Sequence, residues 1–258
     1  MPNSVDLNCD MGESFGMYTI GADEQLMPYI TSANIACGAH AGDPAVMDRT
    51  VRLAKENDVA VGAHPGLPDL AGFGRRMMDV APEEVYQMVV YQIGALQAFC
   101  KVHNVEMQHV KPHGALYNVA AKNRDTADAV ARAVHDVNDE LVLFGLAGSK
   151  LLTAGKQTDL QVASEIFADR TYQADGSLTP RQQPDALIEN ADDAVRQVER
   201  ILRTGNVRAV TGEDVTIVAD TICVHGDGAQ AAVFAGKLRT ALQADGIAIK
   251  AISSGGFN

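Results

Sequence analysis

No run of about eighteen uncharged apolar residues occurs in this chain of 258 residues, so no membrane-spanning helix is expected. An excess of basic charge is missing as well. The formal net charge is −12, which argues against a nucleic-acid binder, because holding a phosphate backbone needs clustered Lys and Arg. The opening segment Met1-Pro-Asn-Ser-Val-Asp6 has neither a basic start nor an apolar signal core, and points to the cytoplasm. Cys9, Cys37, Cys100 and Cys223 are far apart and form no Cys-x-x-Cys pair. A disulfide framework is therefore not expected, and these cysteines read first as small buried residues. Three enzyme signatures are absent: the Gly-x-x-x-x-Gly-Lys-Ser/Thr phosphate loop, the Gly-x-Ser-x-Gly elbow and His-Glu-x-x-His. The first absence removes that mode of ATP handling and leaves other ATP folds open.

What is present is a regular alternation. Strand-like runs fall at 5–9, 32–37, 59–63, 107–111, 141–146, 161–167, 221–224 and 247–252. Helix-like runs fall between them, at roughly 22–30, 44–57, 82–103, 125–137, 149–156, 190–204 and 228–244. Pro44 behind Asp43, and Pro82 before Glu83 and Glu84, suit first helical positions. Gly205 suits a helix stop. Alternating β and α predicts parallel strands with crossover helices. The expected fold is α/β, an irregular (β/α) barrel of seven strands forming a single domain over 1–258. A doubly wound open sheet is the alternative. Polar residues at many successive strand ends favour the barrel, because an open sheet gathers its site at one crevice. Two long Gly/Pro-rich loops, 65–81 and 168–185, interrupt the rhythm, and loops of that length are usually functional or mobile.

The strand ends carry the chemistry. Of the seven histidines, His40, His64, His113 and His225 each close an apolar run and precede a turn. Scattered core histidines would not all choose that place. In the first run Asp6, Asn8 and Asp10 share one face, because strand side chains repeat every second residue. Asp10 could serve as base or metal ligand, and Glu13 follows it; capping of turns is the bland reading. His40, His64 and Asp10 make a candidate divalent-metal set, or an acid–base group without metal. Lys111, His113 and Tyr117 bring an amine, an imidazole and a phenol together. Lys111 could hold an anion. Glu165 is an acid inside an apolar strand, which is costly unless paired, and Arg170 is the nearest cation in sequence. Arg75 and Arg76 could clamp an acidic substrate. The expected catalytic set is Asp10, His40, His64, Lys111, His113 and Glu165. Asn8, Glu13, Arg75, Arg76, Tyr117, Arg170 and His225 are expected to bind substrate. Asp227 is placed to cap the helix after it.

Six segments recur in order along nearly the whole chain. They are Asp6-Leu-Asn-Cys-Asp-Met-Gly-Glu13, Asn34-Ile-Ala-Cys-Gly-Ala-His-Ala-Gly-Asp43, Gly62-Ala-His-Pro-Gly66 with Gly72-Phe-Gly-Arg-Arg76, Val110-Lys-Pro-His-Gly-Ala-Leu-Tyr117, Glu165-Ile-Phe-Ala-Asp-Arg170 and Val224-His-Gly-Asp227. In these the chain resembles the LamB/YcsF family. The resemblance implies an irregular (β/α) barrel similar to the polysaccharide deacetylases. It also implies ATP-dependent cleavage of 5-oxo-L-proline to L-glutamate, with ADP and phosphate as coproducts, together with two further subunits, B and C. ATP is then a cosubstrate of the complex, and a divalent metal stays an open cofactor. Two other readings remain: an independent metal-dependent C–N hydrolase or deacetylase, and a non-catalytic binding subunit. The sequence sets no oligomeric state, and a homo-oligomer stays open.

Overall fold

The computed structural model describes residues 2–224 and 231–252. The strands are β1 (Ser4–Met11), β2 (Ser32–Ala36), β3 (Ala60–His64), β4 (Met107–Val110), β5 (Val142–Leu146), β6 (Val162–Phe167), β7 (Asn206–Arg208), β8 (Asp214–Thr216), β9 (Thr221–Val224) and β10 (Ala248–Ile249). The helices are α1 (Asp23–Leu26), α2 (Pro44–Glu56), α3 (Pro82–His103), α4 (Gly114–Lys122), α5 (Arg124–Val137), α6 (Lys150–Gln157), α7 (Ala191–Thr204) and α8 (Ala231–Ala244). Parallel pairing runs β1-β2-β3-β4-β5-β6-β9, and β9 pairs back onto β1. The ring is a closed barrel of seven strands, as the alternation predicts. The run at 247–252 does not join it. Only its two-residue β10 pairs, beside Ser4 and Val5 at the start of β1.

The barrel separates two kinds of packing. Val5, Leu7, Cys9 and Met11 of β1 are fully buried and belong to one apolar cluster with Val51 of α2, Val89 and Ile93 of α3 and Val130 of α5. That cluster is the layer between strands and helices. The alternate β1 residues, Asp6, Asn8 and Asp10, face a polar lumen, where they hydrogen-bond to β2, β6 and β9. A separate small cluster of Val142, Phe144, Ala163 and Ile252 includes Phe144, which stacks on lumenal His109 at 4.2 Å. A polar lumen explains why β2 is buried throughout, and β1 at all but the half-buried Asp10, and yet both carry Asp or Asn.

Helix starts follow local chemistry. The Asp43 side chain accepts from Val46 N at 2.9 Å, with Pro44 in the first turn. Ala81 N donates to Glu84 at the start of α3. Gly205 ends α7 in the left-handed conformation, φ 69°. Helix α4 and the β7–β8 hairpin lie outside the sequence expectation. Helix α4 follows a strand after only Lys111-Pro112-His113, and no side chain caps it, so it carries none of the usual start signals. Among the described residues no helix is long and apolar enough to cross a membrane.

Gly62 marks the tightest packing in the lumen. A Cβ there would collide with the His109 ring from the neighbouring strand. We expect Gly62→Ala to destabilise the fold by about 2–3 kcal/mol through overpacking, read as a lower urea midpoint by circular dichroism at unchanged slope. An unchanged midpoint would show that His109 can move aside.

Candidate active site

The lumen is filled by one hydrogen-bonded network. At its base Asp6 accepts from Thr31 and Ser32 hydroxyls at 2.7 Å each, and from Thr221. Burial pushes the Asp6 carboxyl up from 3.8 to about 6, against the pull of these hydroxyls. Above it, Asn8 donates to Thr221 at 2.7 Å and to Glu165 at 2.9 Å. Asn34 donates to Asn8 at 2.7 Å and to Asp10 at 2.9 Å, and its oxygen faces His109 Nε2 at 2.8 Å. An amide oxygen only accepts, so His109 carries its hydrogen on Nε2. Burial lowers this imidazole to about 3, which keeps it neutral.

Lys111 sits at the centre, with its side chain 2% exposed. Its ammonium contacts Glu165 Oε1 at 2.8 Å, Asp10 Oδ1 at 3.0 Å, Asn8 Oδ1 at 3.1 Å and Cys223 Sγ at 3.1 Å. Burial opposes the charge, but the acidic surroundings outweigh it and hold the group well above the usual lysine range. Tyr117 donates to the other Glu165 oxygen at 2.6 Å. Burial and Glu165 together push the Tyr117 phenol up. Burial also pushes the Cys223 thiol well up, so it is an acceptor here and not a thiolate nucleophile.

The histidines form the next layer. His64 Nδ1 lies 2.7 Å from the Lys111 carbonyl oxygen, and its Nε2 is 3.3 Å from Asp10 Oδ2. His113 Nδ1 is 2.9 Å from His64 Nε2, and His113 Nε2 is 2.8 Å from the Phe73 carbonyl oxygen. His40 stacks on His113 with ring centroids 3.7 Å apart. Glu13 Oε1 approaches His113 Nδ1 at 3.6 Å and His40 Nε2 at 3.7 Å. Burial lowers His40 well below its usual value and His113 to about 3, and the neighbouring imidazoles add to both shifts. Glu13, His40, His64 and His113 thus bring one ligand atom each within 4.8 Å of one another, a set that could hold a metal ion.

The long loop at 65–81 is folded over this layer. Phe73 and Gly74 are both left-handed, φ 55° and 64°. A side chain at Gly74 would strike His40 and His113. Asp69 anchors the loop by accepting from Gly72 N at 3.0 Å and Arg76 Nε at 2.9 Å. The second long loop forms the opposite wall through Ser177, Leu178, Thr179, Pro180, Arg181 and Gln182. Between them is a cavity of about 380 Å³, reached by Asp10, Glu13, His64, Lys111, His113 and Tyr117, with Arg75, Lys122, Arg170 and Arg181 around it.

Most expected site residues converge here, but several roles change. Glu165 pairs with Lys111, not with Arg170. The Arg170 guanidinium donates to the Thr179 and Ala186 carbonyls at 2.5 and 3.2 Å, so it holds the second loop in shape while bordering the cavity. Arg76 does not line the cavity. Its side chain is 66% exposed and is bound to Asp69, so only Arg75 of that pair lines the cavity. Asn8, His40 and Glu165 stand behind the cavity wall and not on it. The candidate metal set is Glu13 with three histidines; Asp10 borders it through His64. His225 and Asp227 lie outside the described residues. Sequence reasoning missed Asn34, His109, Thr221 and Phe73. His109 is two residues before Lys111, a strand period that would have found it; Asn34 has no such neighbour among the sequence candidates.

The LamB/YcsF family model matches residues 5–255. The chain belongs to the LamB/YcsF family. It is 60% identical over 252 residues to the 5-oxoprolinase A subunit of Bacillus licheniformis, covering 98% of this chain and 100% of that one. It is 62% identical over 248 residues to the 5-oxoprolinase A subunit of Tolumonas auensis, covering 96% and 99%. Among solved structures, the lactam utilization protein from Thermus thermophilus superposes with a TM-score of 0.91 at 44% identity, covering 96% of this chain and 100% of that one. Of the LamB/YcsF segments singled out in the sequence, the five up to Arg170 build the lumen and the cavity wall.

Asp6 gives a pH test of the network. Its folded value of about 6 lies above its ordinary 3.8, so its contribution to stability is full below 3.8 and is lost as pH rises through 6. Asp6→Asn stays neutral throughout. Relative to the native chain, the variant should gain roughly 2–3 kcal/mol between pH 4 and pH 7, measured by urea unfolding at several pH values. A constant difference across that range would contradict the shift.

Proposed function

We propose that this chain is the ring-opening subunit of an ATP-dependent 5-oxoprolinase, converting 5-oxo-L-proline to L-glutamate together with subunits B and C. The naming of its relatives supports the substrate. The observation that carries the role of this chain is the buried Lys111 ammonium between Asp10 and Glu165 at the inner end of the cavity. It gives one charged, oriented carboxylate facing a ligand and a fixed positive charge beside it.

A lactam is an unreactive amide, and ATP can activate it by phosphorylating the amide oxygen. In this reading subunits B and C perform that transfer, ATP is the cosubstrate of the complex, and the phosphorylated lactam enters the cavity. Water then adds to the activated ring carbon, with Asp10 taking one of its protons. The ring C–N bond breaks, its electron pair goes to nitrogen, and nitrogen takes up the proton. The acyl phosphate so formed loses phosphate to a second water. Lys111 stabilises the negative charge that develops on oxygen. Arg75 and Arg181, which line the cavity, would hold carboxylate or phosphate. Glu165 and Tyr117 hold Lys111 in position. An ATP-coupled reaction of this kind belongs in the cytoplasm.

The Glu/His cluster favours a second reading, a metal-dependent C–N hydrolase that acts without ATP. The two readings separate in one assay. We expect the purified chain alone to form no glutamate from 5-oxoproline and ATP, and the mixture with subunits B and C to form it. In the mixture Asp10→Asn and Lys111→Met should each lower kcat by on the order of 100-fold or more, with smaller changes in KM. Full turnover in both variants would give this chain a binding role only. Activity of the chain alone, without ATP, would favour the independent hydrolase.

A further inference from the structure

We propose that Glu13, His40, His64 and His113 form a binding site for a single divalent transition-metal ion, with zinc the best match to the donors. The inference does not rest on the 5-oxoproline reading. It follows from hydrogen-bond accounting in the histidine layer.

His64 Nδ1 is 2.7 Å from the Lys111 carbonyl oxygen, and His113 Nε2 is 2.8 Å from the Phe73 carbonyl oxygen. Carbonyl oxygens only accept, so both of these nitrogens carry the hydrogen. In a neutral imidazole the other nitrogen is then a bare lone pair. Those two lone pairs, on His64 Nε2 and His113 Nδ1, face each other at 2.9 Å. Two acceptors so close need a positive centre beside them. His40 adds a second, independent observation. It is 1% exposed, and neither of its ring nitrogens has a hydrogen-bond partner among the described residues. Buried polar groups without partners are rare and call for an explanation.

The spacing fits an ion. Ligands bound tetrahedrally at about 2.0–2.1 Å lie about 3.3 Å from one another. Three of the separations are near this, 2.9 Å for His64 to His113, 3.6 Å for His113 to Glu13 and 3.7 Å for His40 to Glu13, and the whole set lies within 4.8 Å, so the side chains would draw together around the ion. Backbone carbonyls behind His64 and His113 fix which nitrogen is presented, as second partners of metal-bound histidines do. A single proton shared by His64 and His113 would satisfy that pair but would leave His40 as it is. An ion gives a partner to the His64 and His113 lone pairs, to Glu13 and to one ring nitrogen of His40. Three imidazoles and a carboxylate suit zinc and its first-row neighbours better than calcium or magnesium. Glu13, His64 and His113 also line the cavity, so water could reach the ion from that side. With an ion bound, Asp10, whose Oδ2 is 3.3 Å from His64 Nε2, would be the nearby carboxylate able to accept a proton.

The test is metal binding, read without any activity assay. The full chain, freed of metal by chelator and dialysis, is titrated with Zn²⁺ by calorimetry and with Co²⁺ by visible absorption. We expect one equivalent of Zn²⁺ per chain and a Co²⁺ d–d band of the intensity of a tetrahedral or five-coordinate site. His40→Gln and His113→Gln, checked for folding by circular dichroism, should each weaken Zn²⁺ binding by on the order of 100-fold. His40→Ala serves if the glutamine variant fails to fold. Less than a tenth of an equivalent bound, or an affinity that the histidine variants leave unchanged, would overturn the site.

Discussion

The buried ion triad of Asp10, Lys111 and Glu165 is the constraint on which the rest of the lumen depends. Moving an ammonium and two carboxylates out of water costs several kcal/mol per ion, and only close, fully hydrogen-bonded partners offset that cost. Here the contacts are 2.8 and 3.0 Å, and Asn8 and Tyr117 also donate to Glu165 and Asn34 to Asp10. Residues from β1, β2, β6 and β9, with Lys111 just past β4, meet in this one network. The charge balance therefore constrains barrel closure as well as the site. A barrel with an ordinary apolar lumen would be simpler to stabilise, so these polar groups have a chemical reason to be there.

The segment Lys111-Pro112-His113 transmits that constraint to the cavity. Within three residues it supplies the central ammonium, the carbonyl that orients His64, and the imidazole of His113. Proline fixes one backbone torsion between them. His113 in turn holds the Phe73 carbonyl, and through it the long loop over the histidines. On the far side, Phe167 N donates to Tyr172 Oη at 2.8 Å and Arg170 clasps its own loop through Thr179. Both long loops are thus tied to strand ends. A site held in this way needs little rearrangement to present its polar groups to a ligand.

The architecture was legible in the sequence because strands and helices alternate with clear punctuation. The site was legible because its residues sit at strand ends, and because Asp6, Asn8 and Asp10 share one face of a strand. Pairings across the lumen were not legible. Asn8 meets Glu165 across 157 residues, and no local pattern reports which strands face each other in a closed ring. For that reason Arg170, close in sequence, was expected as the partner that Lys111 proves to be. Arg76 was misread for a similar reason: the sequence places it beside Arg75, but Asp69 turns it outward. His109 lay hidden in an apolar-looking strand, since its partner Asn34 comes from another part of the chain.

The central claim is that Lys111 is a permanently charged anchor, not an amine nucleophile. The most direct measurement is the protonation state of its side-chain nitrogen by NMR of the chain labelled with ¹⁵N-lysine, assigned by Lys111→Met and followed from pH 6 to pH 10. The account predicts an ammonium resonance, slow to exchange, that persists unchanged across that range. An amine that loses its proton near neutral pH would contradict it, and would make Lys111 a candidate nucleophile or base instead.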